Sequence, residues 1–563
     1  MPPLNSTLTA LLAFAGQLAF AIPTAHRIPK LGAVASETSE CSRVGIDLLK
    51  AGGNAADAMV GTVFCVGVIG MYHSGVGGGG FMLVRGSNGS YEYIDFREAA
   101  PAAAFEDMYT NATEKSLLGG LASGVPGELR GLEYLHKTYG VLPWAKVMAP
   151  AIKYARCGFK VSADLVRNMK SVSADSNFLT EDPTWAIDFA PNGRLLQLNE
   201  TITRKRYADT LESIAQQGAD AFYTGAIANA TIQALRKQNG TMTLEDLKNY
   251  TVAIRKPAEI DYRGYKVRSV SAPASGAVAL SILKTLEGYE GVGDPAQFNL
   301  TTHRLDEAMR FAYGARANLG DPSFLPNLTT YQTAMLSSLH AAEVRSLISD
   351  DYSHPNVSYY SPEGLESLDT PGTSHISVAD STGMAVSLTT TVNLLFGSKL
   401  MVPETGVIMN NEMNDFSIPG SSNAFGYVPS PANYVRPGKR PLSSISASIV
   451  ETPDGEFYFA IGAAGGSRII TATTQNIVNV LDRGFDTHDA LAQPRLHDQL
   501  TPNLASLEYS FDNGTAEFLR ERGHNVTYVA EGMSAAQGVR RLGNGTFEAA
   551  GEPRQGNSGG FAV

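Results

Sequence analysis

The sequence predicts an α+β fold in which the strands are concentrated in the C-terminal part of the chain. Apolar residues recur at helical spacing within residues 40–70, 209–236 and 302–318. From Gly372 onwards, short runs typical of strands dominate instead. These two patterns in a chain of 563 residues indicate a mixed protein with enough apolar material for a large core.

Composition and charge exclude two classes of protein. The formal net charge is −11 and no Lys/Arg-rich run occurs, so we expect no binding to nucleic acid, which needs clustered cations. Beyond the N-terminus, no stretch reaches about 18 apolar residues free of charge, so we expect no internal membrane span.

The N-terminal segment, residues 1–21, has the features of a secretory signal peptide. Residues 8–22 are apolar, and Ala19-Phe20-Ala21 fits the small-x-small rule for cleavage after Ala21. The usual basic residue is missing, so an uncleaved anchor is the alternative, although Pro23 ends the run. Twelve Asn-x-Ser/Thr sequons beyond the N-terminal segment favour the secretory pathway, with an extracellular or vacuolar destination. They begin at Asn88, Asn111, Asn199, Asn229, Asn239, Asn249, Asn299, Asn327, Asn356, Asn513, Asn525 and Asn544.

Three cysteines, Cys41, Cys65 and Cys157, predict one disulfide and one free thiol. The two helical segments within residues 40–70 are separated by Gly52-Gly53, which is typical of a helix end. A helical hairpin that folds at these glycines would bring its ends together. We therefore predict a Cys41–Cys65 disulfide and a buried, unreactive thiol at Cys157.

The segment between this hairpin and Gly372 contains glycine-rich and proline-rich stretches. The glycine run 74–80 lacks a Walker lysine and a G-x-G-x-x-G spacing, so close backbone packing is expected rather than phosphate binding. Strand-like runs follow at 81–85 and 91–97, and Thr243-x-x-Asp246 predicts a capped short helix. The turn-rich residues 321–372 predict an exposed connection between two halves of the chain.

After Gly372 the sequence predicts five strands and one long loop. Residues 418–438 are rich in Pro, Ser, Gly and Asn, and this stretch is long enough to form a lid rather than a tight turn. The predicted strands are 374–380, 384–391, 406–409, 444–451 and 456–461.

The most specific local geometry is a hairpin predicted over residues 373–393. Asp380-Ser381-Thr382-Gly383 predicts the turn, with Gly383 supplying the left-handed residue of a three-residue loop. In that register Thr373 lies opposite Thr391, about 5 Å apart at Cβ, and Asn393 lies on the same polar face. A slip of one residue would scramble the apolar and polar faces. By itself, such a pair is more typical of strand packing than of catalysis.

Eight blocks of sequence, from about residue 30 to the C-terminus, resemble the successive motifs of one family. The blocks are GAVASETSECSRVGIDLLKAGGNAADA, HSGVGGGGFMLV, IDFREAAP, GTSHISVAD, TTTVNLLFGS, GVIMNNEMNDFS, PLSSISASIV and GAAGGSRIITAT. In this order they are similar to the blocks of the gamma-glutamyltransferase (glutathione hydrolase) family of N-terminal-nucleophile hydrolases.

The resemblance implies an αββα sandwich and a precursor that cuts itself into two subunits. The cut would fall between Gly372 and Thr373, giving a large subunit over 22–372 and a small catalytic subunit over 373–563. The Thr373 hydroxyl would attack the Gly372 carbonyl, where glycine leaves room for the strained backbone that the attack requires. The freed α-amine, with an ordinary pKa of about 7.7–8.0, would then act as the base for the same hydroxyl.

The resemblance also implies a site for a γ-glutamyl group, which carries an α-carboxylate and an α-ammonium. Arg97, Ser443 and Ser444 would bind the carboxylate. Glu412, Asp415 and Asn393 would bind the ammonium.

The catalytic groups implied by the resemblance lie at the hairpin and after a predicted strand. Thr391 would hydrogen-bond the Thr373 amine, and backbone N–H groups at Gly465 and Gly466 would bind the oxyanion. Glutathione and related γ-glutamyl compounds would be donors, and water, an amino acid or a dipeptide would be acceptors. No metal ion and no cofactor are expected.

Simpler interpretations stay open. Without the family, Arg97 beside Glu98 is typical of a surface ion pair, and Glu412 with Asp415 of a solvated edge. Two other functions are a related acylase with a different acyl pocket and an uncleaved, inactive secreted binding protein.

Overall fold

A computed structural model of the chain describes residues 30–361, 372–420 and 429–563. The predicted signal peptide lies outside these ranges, as do residues 421–428 of the predicted lid. Both therefore stay predictions.

The described residues contain eighteen strands, which form two large sheets and two small ones. In chain order the strands are β1 (Gly32–Ser36), β2 (Gly79–Arg85), β3 (Tyr91–Asp95), β4 (Phe159–Lys160), β5 (Thr201–Ile202), β6 (Ala253–Arg255), β7 (Ala258–Tyr262), β8 (Tyr265–Ser269), β9 (Gly372–Asp380), β10 (Ala385–Asn393), β11 (Ser448–Glu451), β12 (Phe457–Ala464), β13 (Leu496–His497), β14 (Ala505–Glu508), β15 (Val526–Val529), β16 (Ala535–Arg541), β17 (Phe547–Ala550) and β18 (Gly559–Ala562).

Eighteen α-helices of the described residues cover the sheets. They are α1 (Ser39–Lys50), α2 (Ala55–Ile69), α3 (Glu128–Tyr139), α4 (Trp144–Cys157), α5 (Ala163–Ser173), α6 (Phe178–Glu181), α7 (Pro183–Phe189), α8 (Lys205–Gln217), α9 (Asp220–Tyr223), α10 (Gly225–Lys237), α11 (Leu244–Asn249), α12 (Gly276–Glu287), α13 (Phe298–Arg316), α14 (Leu328–Met335), α15 (Ser338–Leu347), α16 (Arg468–Leu481), α17 (Thr487–Ala492) and α18 (Asn513–Glu521).

The two large sheets stack face to face between two helical layers. The first sheet has the strand order β18-β1-β9-β10-β2-β3-β6, and the second has β17-β16-β12-β11-β8-β7. Apolar residues of α1–α11 form one core with the outer face of the first sheet. Residues of α12–α18 form a second core with the second sheet, which extends between the sheets. The predicted α+β class and the αββα sandwich are thus confirmed.

The hairpin β9–β10 has the predicted register. Thr373 pairs with Thr391 and Ala379 with Ala385, and Gly383 in the turn has a left-handed φ of 83°. The apolar face of the hairpin packs into the first helical core. The polar face is buried too, because its hydroxyls bond to the second sheet: Ser387 donates to the Ile461 carbonyl at 3.1 Å.

The glycine run before β2 packs against the hairpin, as predicted. A Cβ at Gly78 would collide with the Thr391 carbonyl oxygen, and a Cβ at Gly80 would collide with that of Thr389. The absence of side chains therefore lets the backbone approach the strand that carries Thr391.

The Cys41–Cys65 disulfide is present, with Cα atoms 5.3 Å apart, and it joins α1 to α2. The prediction for Cys157 is half right. Its thiol is free, but the residue is exposed at the C-terminal end of α4, because the apolar stripe of that helix ends before it.

Three further predictions are wrong in detail. Residues 321–361 are not simply an exposed connection, since α14 and α15 bury Leu328, Met335 and Val344 in the second core. The predicted strand 406–409 is a single bridge between Met401 and Ile408. The run 444–451 becomes a strand only at Ser448, and its first residues form an extended loop.

Among the described residues, helices with the length and apolar character needed to cross a membrane do not occur. The longest helix of the described residues, α13, has 19 residues, and charged side chains interrupt its sequence.

Candidate active site

The site begins at the open end of the hairpin, where β9 and β10 bring two threonines together. The Oγ1 atoms of Thr373 and Thr391 are 3.4 Å apart. The Thr391 hydroxyl donates to the carbonyl oxygen of Gly372 at 2.8 Å and accepts the backbone N–H of Asn393 at 2.7 Å. Thr391 therefore contacts the groups on both sides of the Gly372–Thr373 peptide bond.

Asn393 reaches the site through a β-bulge. The register shifts between Thr391 and Asn393, so that Asn393 lies opposite Gly372. Its φ of 75° is left-handed, which asparagine tolerates better than most residues. Simple alternation along the strand predicts Asn393 on the polar face. The side chain does line the cleft, but the bulge puts it there.

Gly372 is required by close packing. A Cβ at this position would collide with the Asn393 carbonyl oxygen. The missing side chain lets the backbone of β9 approach that of β10 at its last residue.

Arg97 is the centre of a buried charged cluster. Its two terminal nitrogens bond to Glu412 and Asp415, which lie on a 3₁₀ turn, Glu412–Asp415. Its Nε donates to the Pro441 carbonyl at 3.4 Å. Arg97 is almost completely buried, so neither the surface ion pair nor the solvated edge describes these residues.

Three residues that line the cleft each have one buried acceptor atom without a hydrogen-bond partner among the described residues. These atoms are Oδ1 of Asn393, Oε2 of Glu412 and Oδ1 of Asp415. Buried polar atoms are normally satisfied, and leaving them so costs free energy. Since all three residues line one cleft, their free oxygens suit a ligand with several N–H donors, such as an ammonium group.

Two charged residues of this site were not predicted. Arg316, the last residue of α13, donates to the Ser444 hydroxyl at 3.1 Å. Glu98 lies behind Arg97, with a carboxylate oxygen 4.0 Å from the guanidinium. The local sequence of α13 gives no signal for Arg316, because only the tertiary fold brings that helix to Ser444. Glu98 entered only the simpler interpretation, as a surface partner of Arg97, whereas it is buried.

The predicted oxyanion glycines lie between β12 and α16. Gly465 and Gly466 have φ values of 121° and 57°, so both need glycine. A Cβ at Gly465 would also collide with the Met533 carbonyl oxygen. Gly466 lines the cleft beside Thr373.

These elements line one narrow cleft. Gly372 and Gly465 are not among the lining residues, although each directly precedes one in the chain, and Ile445 and Ile469 add apolar walls that were not predicted. Nine of the predicted site residues line it: Arg97, Thr373, Thr391, Asn393, Glu412, Asp415, Ser443, Ser444 and Gly466.

Burial controls the ionisation of the charged cluster. It raises the pKa of Glu412 and of Asp415, and the positive charge of Arg97 opposes the shift. Burial alone would lower the pKa of Arg97, but the two carboxylates outweigh it and the pKa is raised. Burial also raises the pKa of Glu98 well above its ordinary value. The site therefore buries more carboxyl groups than cationic groups, which costs free energy. A cationic ligand would reduce that cost.

A family model described as Gamma-glutamyltranspeptidase matches residues 41–561. The chain belongs to the gamma-glutamyltranspeptidase family. It is 58% identical to a glutathione hydrolase proenzyme of Arthroderma benhamiae, an alignment that covers 96% of this chain and 94% of the relative. It is 37% identical to a glutathione hydrolase proenzyme of Escherichia coli, with 93% and 90% covered.

Solved structures agree with membership of the gamma-glutamyltranspeptidase family and with its fold. A cephalosporin acylase from Bacillus halodurans aligns with a TM-score of 0.82 at 27% identity, covering 98% of this chain and 99% of the acylase. The gamma-glutamyltranspeptidase of Helicobacter pylori aligns with a TM-score of 0.53 at 29% identity, covering 63% of this chain and 95% of the other chain.

The raised pKa of Glu412 predicts that an ammonium ligand binds more weakly as the pH falls. Protonation removes the negative charge that attracts the ligand, and because the pKa is raised, this loss begins at a higher pH than for an exposed glutamate. Titration calorimetry with L-glutamate between pH 5 and 8 measures the affinity and its change with pH. Glu412→Gln should bind at least about tenfold more weakly at pH 8 and lose much of the pH dependence, with the remainder due to Asp415, whose pKa is raised as well.

A matched control is Glu404→Gln, which makes the same change at an exposed glutamate and should match the wild type. An unchanged pH dependence in Glu412→Gln would show that another group binds the ammonium.

Proposed function

We propose that this protein is a gamma-glutamyltransferase and glutathione hydrolase that matures by cutting itself between Gly372 and Thr373. The observation that carries the proposal is the pairing of a hydroxyl nucleophile, Thr373, with a cleft that holds one guanidinium and three free acceptor oxygens. Relatives named as glutathione hydrolase proenzymes over nearly their full length support it.

Maturation begins with attack of the Thr373 Oγ1 on the Gly372 carbonyl carbon. The C–O bond forms, the C–N bond of the peptide breaks, and the Thr373 nitrogen takes a proton and becomes an amine. The Thr391 hydroxyl, hydrogen-bonded to the Gly372 oxygen, would stabilise the negative charge that develops there. Water then hydrolyses the ester and gives a free Gly372 carboxylate and an N-terminal Thr373.

The donor's amino-acid end binds by exchanging partners with a resident ion pair. In the structure, Arg97 is bonded to Glu412 and Asp415. A zwitterion brings one charge of each sign, so its α-ammonium takes the two carboxylates while its α-carboxylate takes the guanidinium, with the hydroxyls of Ser443 and Ser444 beside it. The exchange conserves charge and satisfies the three free acceptor oxygens.

Acyl transfer uses the N-terminus that the cut creates. The Thr373 amine accepts the hydroxyl proton as Oγ1 attacks the γ-carbonyl, and the same proton passes to the departing amine of the donor. Gly465 and Gly466 would direct N–H groups to the oxyanion. Water, an amino acid or a dipeptide then attacks the γ-glutamyl ester. In the uncut chain Thr373 has no free amine. The hydrogen bond between that amine and Thr391 therefore stays a prediction.

The second candidate is an acylase of the same fold. The likeness to a cephalosporin acylase over nearly the whole chain favours it. Against it, an acyl group without an α-amino acid end would leave the buried Arg97, Glu412 and Asp415 without a ligand. An inactive, uncleaved binding protein, the third candidate, would run as a single band near full length in denaturing electrophoresis.

We further propose that the protein passes through the secretory pathway, with an extracellular or vacuolar destination. Eleven of the twelve predicted sequon asparagines are exposed, and Asn299 is half-buried, so a glycosyltransferase could reach most of them. The Cys41–Cys65 disulfide fits an oxidising compartment. Peptide-N-glycosidase treatment of the protein from its native host should lower its apparent mass. An unchanged mass would contradict glycosylation at these sites.

The first prediction concerns the cut. Thr373→Ala should remain a single chain without transferase or hydrolase activity, because both steps need the hydroxyl. Thr373→Ser, which keeps a hydroxyl, should still be cut and keep measurable activity. Electrophoresis and N-terminal sequencing test both variants. If Thr373→Ala is cut after Gly372, another protease performs the maturation.

A second prediction concerns Arg97. Arg97→Gln should lower kcat/KM for a γ-glutamyl anilide at least about tenfold to a hundredfold, because two charge-assisted hydrogen bonds contribute about 1.5–3 kcal/mol each. Arg97→Lys should recover only part of the lost kcat/KM, since an ammonium group cannot reproduce the two parallel hydrogen bonds of a guanidinium. The control is an analogue without the α-carboxylate, which the wild type should use poorly and Arg97→Gln about equally poorly.

Cleavage should survive in Arg97→Gln, since the scissile peptide carries no α-carboxylate. Full preference for the carboxylate-bearing donor in Arg97→Gln would place the carboxylate elsewhere and favour the acylase.

A further inference from the structure

Arg316 is the last residue of α13 and lies behind the cleft rather than in it. Its side chain is buried, and it is not among the residues that line the cleft. Its Nη2 donates to the hydroxyl of Ser444 at 3.1 Å, and Ser444 does line the cleft. Arg316 can therefore act on a bound ligand through Ser444.

The same guanidinium also reaches the residue before Ser444. Its Nε donates to the Ser275 hydroxyl at 3.1 Å, and the Ser275 hydroxyl donates to the Ser443 carbonyl oxygen. Nε and Nη2 form one edge of the guanidinium, where two N–H groups are held parallel in a fixed geometry. One rigid group thus positions two consecutive serines, Ser444 directly and Ser443 through Ser275.

Backbone hydrogen bonds fasten the loop that carries these serines to the loop before α12. The Ser443 N–H donates to the Pro273 carbonyl, and the Ser275 N–H donates to the Ile445 carbonyl, both at 2.8 Å. Pro273, Ser275 and α13 precede the proposed cut, whereas the two serines of the cleft follow it. The large piece of the proposed mature protein therefore positions cleft residues of the small one.

The contact with Arg316 decides the direction of the Ser444 hydroxyl. A guanidinium only donates, so Ser444 Oγ is the acceptor in this bond and its own hydrogen points elsewhere. Among the described residues, no acceptor takes that hydrogen. Because Ser444 lines the cleft, the hydrogen is available to an anionic oxygen of a ligand. A hydroxyl that accepts a bond from a cation is also polarised, which makes it a stronger donor.

We propose that Arg316 is a positioning residue that makes the Ser444 hydroxyl a donor to the α-carboxylate of the γ-glutamyl group. The inference rests on the proposed function for the identity of this anion. Arg97 would contact the carboxylate directly, and Arg316 would act on it through one hydroxyl.

The charge of Arg316 has a second effect inside the cleft. Burial raises the pKa of Asp415, and the charges of Arg97 and Arg316 oppose the shift. Loss of Arg316 would therefore favour protonation of Asp415 and weaken the binding of an ammonium group. This effect has to be separated from the effect on the carboxylate.

Two ligands that differ only in the α-carboxylate make this separation. L-glutamate carries an α-ammonium and an α-carboxylate, and 4-aminobutyrate is the same molecule without the α-carboxylate. A change in ammonium binding, or general damage to the cleft, weakens both ligands alike. The ratio of their dissociation constants, measured by titration calorimetry at pH 8 on the purified protein, isolates the contribution of the carboxylate.

Ser444→Ala should lower the preference for L-glutamate over 4-aminobutyrate about tenfold, because it removes one hydrogen bond to a charged group. Arg316→Met, which removes both of its hydrogen bonds and its charge, should lower the preference at least about threefold. Arg316→Lys keeps the charge without the parallel N–H groups and should recover only part of this loss. In the Ser444→Ala background, Arg316→Met should leave the ratio unchanged, since the hydroxyl through which it acts is gone.

Two matched controls lie on the same helix. Arg304→Met makes the same change at an ion pair with the half-exposed Asp350. Tyr313→Phe, one turn before Arg316, removes a hydrogen bond to the Ser467 carbonyl, beside the proposed oxyanion glycines. Both variants should keep the wild-type ratio of the two dissociation constants.

An unchanged ratio in Arg316→Met would overturn the positioning role. So would a fall of the same size with and without the Ser444 hydroxyl, because Arg316 would then act by another route. If Arg316→Met does not fold, Arg316→Lys decides instead, since a wild-type ratio in that variant would show that charge alone suffices.

Turnover of a γ-glutamyl anilide by the same proteins separates this inference from the proposed function. Turnover by the wild type, together with a wild-type ratio in Arg316→Met, contradicts only the inference. A wild type that turns over no γ-glutamyl donor, but whose preference for L-glutamate falls in Arg316→Met, contradicts only the proposed function. A wild type without preference for L-glutamate contradicts both.

Discussion

The register of the β9–β10 hairpin is the constraint on which the site depends. It places the Gly372–Thr373 bond opposite Thr391, whose hydroxyl is hydrogen-bonded to the Gly372 oxygen. A slip of one residue would turn the threonine pair to the opposite face of the sheet. A contact with α3 stabilises the register, because the Thr390 hydroxyl donates a hydrogen bond to the buried Glu128 carboxylate. Backbone N–H groups of α3 also hold the Gly78 carbonyl.

The charged half of the site depends on the same strand end. The β-bulge after Thr391 turns Asn393 into the cleft, where its free oxygen joins those of Glu412 and Asp415. Arg97 stabilises the buried carboxylates of Glu412 and Asp415, and in the proposed function it would exchange them for the carboxylate of a zwitterion. The proposed nucleophile and the proposed binding site for the ammonium thus share one hairpin, since the bulge after Thr391 supplies the Asn393 oxygen.

Local sequence patterns predicted the features that local chemistry decides. Gly383 fixed the hairpin turn, and with it the pairing of Thr373 with Thr391. Gly52-Gly53 fixed the helical hairpin that brings Cys41 and Cys65 together. The residues that sequence reasoning missed owe their place to long-range packing: Arg316 reaches Ser444 from the end of another helix, and the helices of residues 321–361 are buried only because the second sheet lies beneath them.

The central claim is that Thr373 is both the product of the cut and the residue that carries the acyl group. Rapid acid quenching of the mature protein during turnover of a γ-glutamyl anilide, followed by peptide mass spectrometry, tests this most directly. The account predicts that the peptide beginning at Thr373 gains the mass of one glutamyl residue on its first residue. A glutamyl adduct on another residue, or turnover by a chain with the Gly372–Thr373 bond intact, would contradict it.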